Sequence, residues 1–282
     1  MVSRIELYRN CVKILDDAEI LDSSFNVMCI FQDLLNDKNP LFKPDETVIP
    51  ETAEKIVNLT VKRSKSYPLQ YLLGEWDFWK YRFKVGEGVL IPRPDTETLI
   101  ENVLDICKKN NLKSPKILDL CSGSGCIAIT LDKEISNSQL YAVENSDIAF
   151  KYLEENIRLN NADVKAVKAD VLIAENAEKF RNFDIIVSNP PYLTAKEMQE
   201  LQKEVQAEPE SALFGGSDGL DFYRAITKIW SKCLKTGGYI CYEFGMGQHE
   251  TVSEILRLNN FINISLTKDT GGIIRTVTAE KN

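Results

Sequence analysis

Lys116-Ile117-Leu118-Asp119-Leu120-Cys121-Ser122-Gly123-Ser124-Gly125-Cys126-Ile127-Ala128-Ile129 joins an apolar strand, a turn of small residues and an apolar run that continues at helical spacing. This pattern reads as the first β–turn–α unit of a nucleotide-type fold. Gly123 and Gly125 let the backbone approach a ligand closely, while the N-terminus of the following helix offers free N–H groups. A branched side chain at 125 is expected to invade the ligand's space. A dinucleotide fingerprint would place a further glycine three residues after Gly125; Ala128 stands there, so the turn does not demand a pyrophosphate. Asp119, at the strand end, suits a ligand carrying ammonium or sulfonium charge better than one carrying phosphates, since like charges repel. The next strand, Gln139-Leu140-Tyr141-Ala142-Val143, ends in Glu144, roughly 20 positions beyond Gly125, where an acid accepts from both hydroxyls of a ribose. An ordinary solvated acid at a strand end is the plainer alternative for Glu144.

Outward from this unit, strands and helices alternate from about residue 95 onward. Strands are expected near 116–120, 139–143, 165–169, 183–188, 237–244, 261–267 and 272–279. This is an α/β pattern, a doubly wound, mainly parallel seven-stranded sheet of Rossmann-like kind. Asp269-Thr270-Gly271-Gly272 leaves the last two strands close enough for a hairpin, so one edge is expected to be antiparallel. Upstream the chain reads as helices. Ile5, Tyr8, Val12 and Leu15 share one face; Phe25, Met28, Phe31 and Leu35 share another, after a start at Ser23 or Ser24; a third helix begins at Pro50 and runs through Ile56, Leu59 and Arg63. Trp76 to Val85 is aromatic and alternating, as a short hairpin would be. The expected organisation is a small helical domain over 1–74, a β-hairpin linker over 75–94 and an α/β domain over 95–282.

A second informative stretch is Asn189-Pro190-Pro191-Tyr192, directly after the apolar run Phe183-Asp184-Ile185-Ile186-Val187-Ser188. Two successive prolines fix φ and lack N–H groups, which leaves the Asn189 and Pro190 carbonyls short of local partners. Together with the Asn189 side-chain oxygen they can hold a planar NH2 group, and the Tyr192 ring can cover its flat face. An ordinary Pro-rich turn is the structural alternative.

Composition bounds the rest. The 282 residues are 44% hydrophobic, enough for one large or two modest cores. The seven cysteines, at 11, 29, 107, 121, 126, 233 and 241, form no CxxC pair and share the chain with one histidine, His249. Neither a zinc site nor a disulfide framework is suggested, which points to a reducing compartment, the cytoplasm by default. No apolar stretch reaches ~18 residues and the N-terminus lacks a signal-peptide core, so no membrane partner is expected. A net charge of −8 disfavours a partner bound through many phosphates, so no direct nucleic-acid contact is expected.

These motifs together resemble the HemK/PrmC family of protein-glutamine N5-methyltransferases. The resemblance covers nearly the whole length. It is carried by Pro68-Leu69-Gln70-Tyr71, Gly88 to Glu97, the Asp119 to Gly125 turn, Asn189-Pro190-Pro191-Tyr192, and Glu204 to Pro209 through Leu213 to Leu220. Asp95 stands where the family more often has Glu, and Cys121 where methyltransferases generally have a first glycine. The resemblance implies a class I S-adenosylmethionine-dependent methyltransferase fold, for which an antiparallel sheet edge is a mark. It implies S-adenosyl-L-methionine as cofactor, held by Asp119, Cys121, Ser122, Gly123, Ser124, Gly125 and Glu144, with Asp170 and Val171 flanking the adenine and Asn189 near the transferred methyl. It implies Asn189, Pro190, Pro191 and Tyr192 as the substrate loop, with Asn189, Pro190 and Tyr192 catalytic. The implied substrate is the glutamine of the Gly-Gly-Gln motif of class 1 peptide chain release factors, bound by a monomer whose helical domain docks it. Arg93 either lines the site or pins the linker to the sheet. Three alternatives stay open: a glutamine methyltransferase of a ribosomal protein, a nucleobase amino-methyltransferase, and a cofactor-binding module without catalysis.

Overall fold

The computed structural model describes residues 2–282, which fall into two compact units: 2–75 with Gln202–Ala207, and Trp76–Leu201 with Glu208–Asn282. In the first unit a two-residue strand β1 (Val2–Ser3) leads into α1 (Arg4–Asp17), followed by α2 (Ser23–Leu35), β2 (Thr47–Val48), α3 (Pro50–Arg63) and α4 (Leu69–Leu73). β1 and β2 pair antiparallel. Pro50 at the first position of α3 uses its preset φ where a helix leaves an N–H unbonded anyway.

The buried faces of the first two helices are rotated from the expected stripes. α1 buries Leu7, Cys11 and Leu15, and α2 buries Asn26, Val27, Ile30 and Phe31, leaving Phe25 56% exposed. α2 is apolar on most of its circumference, so period alone does not select a face. A buried cation helps to decide it. Arg63 on α3 donates from Nε to Asn26 Oδ1 at 2.6 Å, from Nη1 to the Tyr67 carbonyl at 3.3 Å, and from Nη2 to Glu204 at 2.5 Å. A guanidinium taken out of water needs this full set of acceptors, and Asn26 must face inward to be one of them.

A hairpin of β3 (Glu75–Phe78), whose first residue ends the first unit, and β4 (Tyr81–Lys84) begins the second unit, which continues through α5 (Glu97–Lys109), β5 (Lys116–Leu120), α6 (Cys126–Glu134), β6 (Gln139–Glu144), α7 (Asp147–Leu159), β7 (Val164–Lys168) and α8 (Ala174–Ala177). After β8 (Phe183–Ser188) come α9 (Ala195–Gln199), α10 (Asp221–Ile229), β9 (Leu234–Glu243), α11 (His249–Leu258), β10 (Phe261–Lys268) and β11 (Ile274–Lys281). Seven strands form one sheet in the order β10-β11-β9-β8-β5-β6-β7. β9, β8, β5, β6 and β7 run parallel to one another, while β11 is antiparallel to both β9 and β10. The doubly wound sheet with one antiparallel edge is therefore the architecture that the alternation predicts.

Alternation along each strand splits the core into two faces. Leu118, Leu120, Ile186, Ile240 and Tyr242 pack with Tyr223 and Ile226 of α10, Trp230, and Val252 and Leu256 of α11. Ile117, Ile185, Val187 and Cys241 pack with α5, α6 and α7 on the other side. Phe78 and Phe83 of the hairpin belong to this second cluster, in edge contact at 6.1 Å, so the hairpin is part of the α/β core. Asn156 of α7 secures it: Oδ1 accepts from the Lys84 amide at 2.6 Å, and Nδ2 donates to the Lys84 and Ser124 carbonyls.

Gly125 is fixed by packing. Its φ is +82°, and a Cβ there would lie 2.5 Å from Leu153 Cδ1 and 3.0 Å from Ile129 Cδ1, between α6 and α7. The expectation that a larger residue would intrude on a ligand is thus corrected, because the side chain would enter the core. Gly125→Val is expected to lower folding stability by roughly 2–5 kcal/mol, combining left-handed strain with overpacking. A urea midpoint equal to that of the parent protein would refute this.

Candidate active site

The strands β5, β6, β7 and β8 all end on one edge of the sheet, and there a cavity of ≈ 710 Å³ opens. In open parallel sheets ligands bind beyond the carboxyl ends of the strands, and this volume suits a medium-sized organic ligand. Cys121, Ser122, Gly123 and Ser124 line it from the first turn, Glu144 from the end of β6, Asp170 and Val171 from beyond β7, and Asn189 and Pro191 from beyond β8. Four expected site residues do not line it: Asp119, Gly125, Pro190 and Tyr192.

Asp119 lies beneath the turn, fully buried, and neither carboxylate oxygen has a hydrogen-bond partner among the described residues. Burial pushes its pKa up to about 8; Ser122 and the Ala128 amide moderate the rise without well-formed bonds, and Glu144 adds to it. A buried acid of this kind gains from a nearby cation, which fits a ligand with an ammonium or sulfonium group. Cys121 adopts φ +60°, a left-handed conformation that favours glycine and costs another residue about 1–2 kcal/mol. This explains why a glycine is the usual occupant in methyltransferases. At Gly123, φ +53°, a Cβ would meet nothing within 4 Å, so backbone faces open space there.

Glu144 does two things at once. Its Oε2 accepts from the Gly123 amide at 2.8 Å and its Oε1 from the Ser146 amide at 2.6 Å, which ties the first turn to the start of α7. Each oxygen keeps a lone pair for a ribose hydroxyl. Glu144→Ala is expected to weaken cofactor binding by roughly 1–3 kcal/mol through lost charge-assisted bonds, measured by titration calorimetry. Unchanged affinity would remove Glu144 from the site. Asp170 Oδ1 accepts from the Leu172 amide at 2.8 Å, and the Val171 carbonyl accepts from Trp230 Nε1 at 2.8 Å. Both therefore stand in a braced loop.

The Asn189–Tyr192 loop, the expected acceptor loop, is braced from behind and from the side. Tyr192 is half-buried against the core, its carbonyl accepting from Gln248 Nε2 at 2.9 Å, while Gln248 Oε1 accepts from the Gly245 amide. Burial pushes the Tyr192 phenol up to about 12, with Glu243 also raising it. Leu193 and Phe214 form a parallel bridge, with the Leu193 amide donating to the Leu213 carbonyl and the Gly215 amide to the Leu193 carbonyl. The strap over 209–216 thereby runs along the loop, and Pro209, Ser211, Phe214 and Gly216 wall the cavity. Glu208, buried, anchors the start of this strap by accepting from the Ile91 amide at 3.0 Å and pairing with Arg93. Arg93 both lines the cavity and pins the strap.

This strap has no local signature in the sequence, nor have Thr96, Ser146 and Leu172, which also line the cavity. A long-range anchor such as Glu208 to Ile91 leaves no local pattern in the sequence. Among the described residues no group of His, Cys, Asp and Glu is arranged to hold a metal, and no helix is long and apolar enough to cross a membrane.

The sheet order, with a cavity beyond the strand ends, is that of a methyltransferase fold. A methyltransferase from Pyrococcus furiosus superposes with a TM-score of 0.52 at 17% identity, covering 71% of this chain and 88% of that one. Residues 95–216 match the methyltransferase small domain family. At the level of sequence, the release factor glutamine methyltransferase of Thermodesulfovibrio yellowstonii is 41% identical over 247 residues, 87% of this chain and 88% of the relative. That of Fusobacterium nucleatum is 36% identical over 282 residues, 98% of this chain and 78% of the relative. The chain belongs to the release factor glutamine methyltransferase family.

Proposed function

We propose that this protein methylates the side-chain amide nitrogen of the glutamine in the Gly-Gly-Gln motif of a class 1 peptide chain release factor. The observation that carries this reading is that Asn189 and Glu144 line the same cavity. S-adenosyl-L-methionine, when bound, supplies a methyl group on a sulfonium that a nitrogen can displace. Glu144 would hold the ribose, Asp119 the charge of the methionine end, and Asp170 with Val171 the adenine.

The remaining task falls to the acceptor loop. An amide nitrogen is a poor nucleophile because its lone pair is shared with the carbonyl. Asn189 Oδ1 and the Pro190 carbonyl accept from the substrate NH2, fix it in line with the methyl group and stabilise the positive charge that grows on it. The N-methylated, protonated amide is very acidic and gives its proton to water, so no strong base is required. Pro191 keeps the loop rigid, and Tyr192 backs it from the core.

Docking of the folded substrate is assigned to the helical unit, which exposes Leu21, Phe25 and Phe42. A monomer in a reducing, cytoplasmic setting accords with seven unpaired cysteines, and the acidic balance speaks against nucleic acid as substrate. The test is incubation with methyl-labelled S-adenosyl-L-methionine and, separately, intact release factor, ribosomal protein or RNA, followed by peptide mapping. Label on the Gly-Gly-Gln glutamine is the expected result. Label on a ribosomal protein or on a nucleobase, with none on release factor, would overturn it.

A further inference from the structure

Asn189 can serve a substrate amide only if its own amide is turned the right way. Oδ1 must face the substrate, which leaves the Nδ2 hydrogens in need of an acceptor behind it. Nδ2 donates to Thr96 Oγ1 at 3.3 Å, and Thr96 is buried at the N-cap of α5. A hydroxyl carries one hydrogen, so while Thr96 accepts from Asn189 its own O–H is aimed elsewhere.

Glu243 stands where that hydrogen can go. It ends β9, one position beyond the Ser188–Tyr242 step of the β8–β9 ladder, beside Asn189 and on the sheet face that packs against α5. It is 1% exposed, and its Oε2 has no hydrogen-bond partner among the described residues. A buried carboxylate oxygen left in this state is costly unless a neighbouring donor turns to it. The Thr96 hydroxyl is such a donor, the foremost hydrogen-bonding group acting on the Glu243 carboxyl, and the Asn189 amide acts on it as well.

We propose that Glu243 is a positioning residue for methyl transfer: as a carboxylate it takes the Thr96 hydroxyl hydrogen, obliges Thr96 to accept from Asn189 Nδ2, and so keeps Asn189 Oδ1 turned to the substrate amide. The proposal rests on the acceptor role given to Asn189 above. When residue 243 carries a proton or an amide it becomes a donor. Thr96 then donates toward Asn189, the Asn189 amide turns over, and an NH2 group meets the substrate's NH2. Two donors face each other and the nitrogen is no longer held.

The surroundings set the pH at which this changes. Burial pushes the Glu243 carboxyl up to about 7, while the Thr96 hydroxyl, the Arg275 charge and the Asn189 amide draw it down and Asp95 raises it. The other titratable groups facing it are Tyr192 of the acceptor loop, Tyr223 of α10 and Cys126 of α6, all pushed up by burial and neutral at this pH. Arg275, from β11, is shared with Asp95 at 3.5 Å and Asp269 at 3.3 Å. Because the folded value is raised, the carboxylate is lost as pH falls through about 7, and transfer is expected to slow over the same interval.

The experiment is single-turnover methylation of release factor by full-length enzyme from about pH 5.5 to 9, with both substrates saturating, for the parent protein, E243Q, E243D, N189A and E243Q/N189A. The parent rate is expected to rise with pH and level off. E243Q is expected to be at least about 10-fold slower and pH-independent, with cofactor affinity nearly unchanged. E243D should restore the pH-dependent limb and part of the rate. The double variant should be no slower than N189A alone, since both act through one amide. E243Q at the parent rate, an intact pH limb in E243Q, or a double variant slowed by both factors would overturn the proposal. If E243Q does not fold, E243D decides: its carboxylate is drawn back from Thr96, and a parent-like rate overturns the idea. N189A at the parent rate would instead refute the acceptor reading itself.

Discussion

Asn189→Ala is expected to lower the single-turnover methyl-transfer rate at least ~100-fold while cofactor affinity changes little. A factor of 100 corresponds to about 2.7 kcal/mol of transition-state stabilisation, the range found when one preorganised hydrogen-bond partner is removed from developing charge. The bond from the substrate NH2 to Asn189 Oδ1 strengthens as the nitrogen becomes positive, so its loss falls on the rate constant. Asn189→Asp should lie between alanine and the parent protein. It keeps oxygen acceptors but loses the donor that Thr96 receives, and it adds a charge beside Glu243. Rates measured with saturating release factor decide the matter, and an alanine variant within a few-fold of the parent sinks the mechanism.

The parts of this arrangement that the sequence displays are those with a local physical signature. The Lys116 to Ile129 unit shows its strand, turn and helix because period 2 gives way to period 3.6 across small residues. The antiparallel edge shows because four turn residues, Asp269 to Gly272, leave no room for a crossover helix. The faces of α1 and α2 were not legible in the same way. Phe25, Val27, Met28, Ile30 and Phe31 offer more than one apolar stripe, and the choice depends partly on Arg63, an apparently solvent-facing helix residue that is buried only because Asn26 and Glu204 accept from it. Glu243 did leave a trace, an acid inside Ile240-Cys241-Tyr242-Glu243-Phe244. A charge in an otherwise apolar strand end is a buried titratable group, and such groups gather at functional sites. The strap after Glu208 had only a family likeness, since what fixes it is contact across more than a hundred positions of chain.

That strap gives the second large effect. Gly215 has its alpha carbon packed against the acceptor loop: a Cβ there would lie 2.6 Å from the Pro191 carbonyl oxygen, 2.7 Å from Tyr192 Cα and 3.0 Å from the Gly219 carbonyl oxygen. All three are backbone atoms, and the two that belong to the acceptor loop are kept rigid by its prolines and held by Gln248 and by the Leu193–Phe214 bridge. No side chain can swing aside, so Gly215→Ala must move one backbone relative to the other. A displacement approaching 1 Å at a group that orients a reacting atom costs on the order of 100-fold in rate. The chain should still fold, because the contact lies at the edge of the core and a single methyl group of overpacking costs about 1–3 kcal/mol. The expected result is a methyl-transfer rate lowered about 100-fold in a protein whose circular dichroism spectrum is native and whose melting temperature falls by only a few degrees. Glu144 and the first turn make none of these contacts with Gly215, so cofactor affinity should fall far less than the rate. A Gly215→Ala enzyme that transfers methyl groups at the parent rate would mean that the acceptor loop tolerates displacement, and that orientation of the substrate amide is set elsewhere.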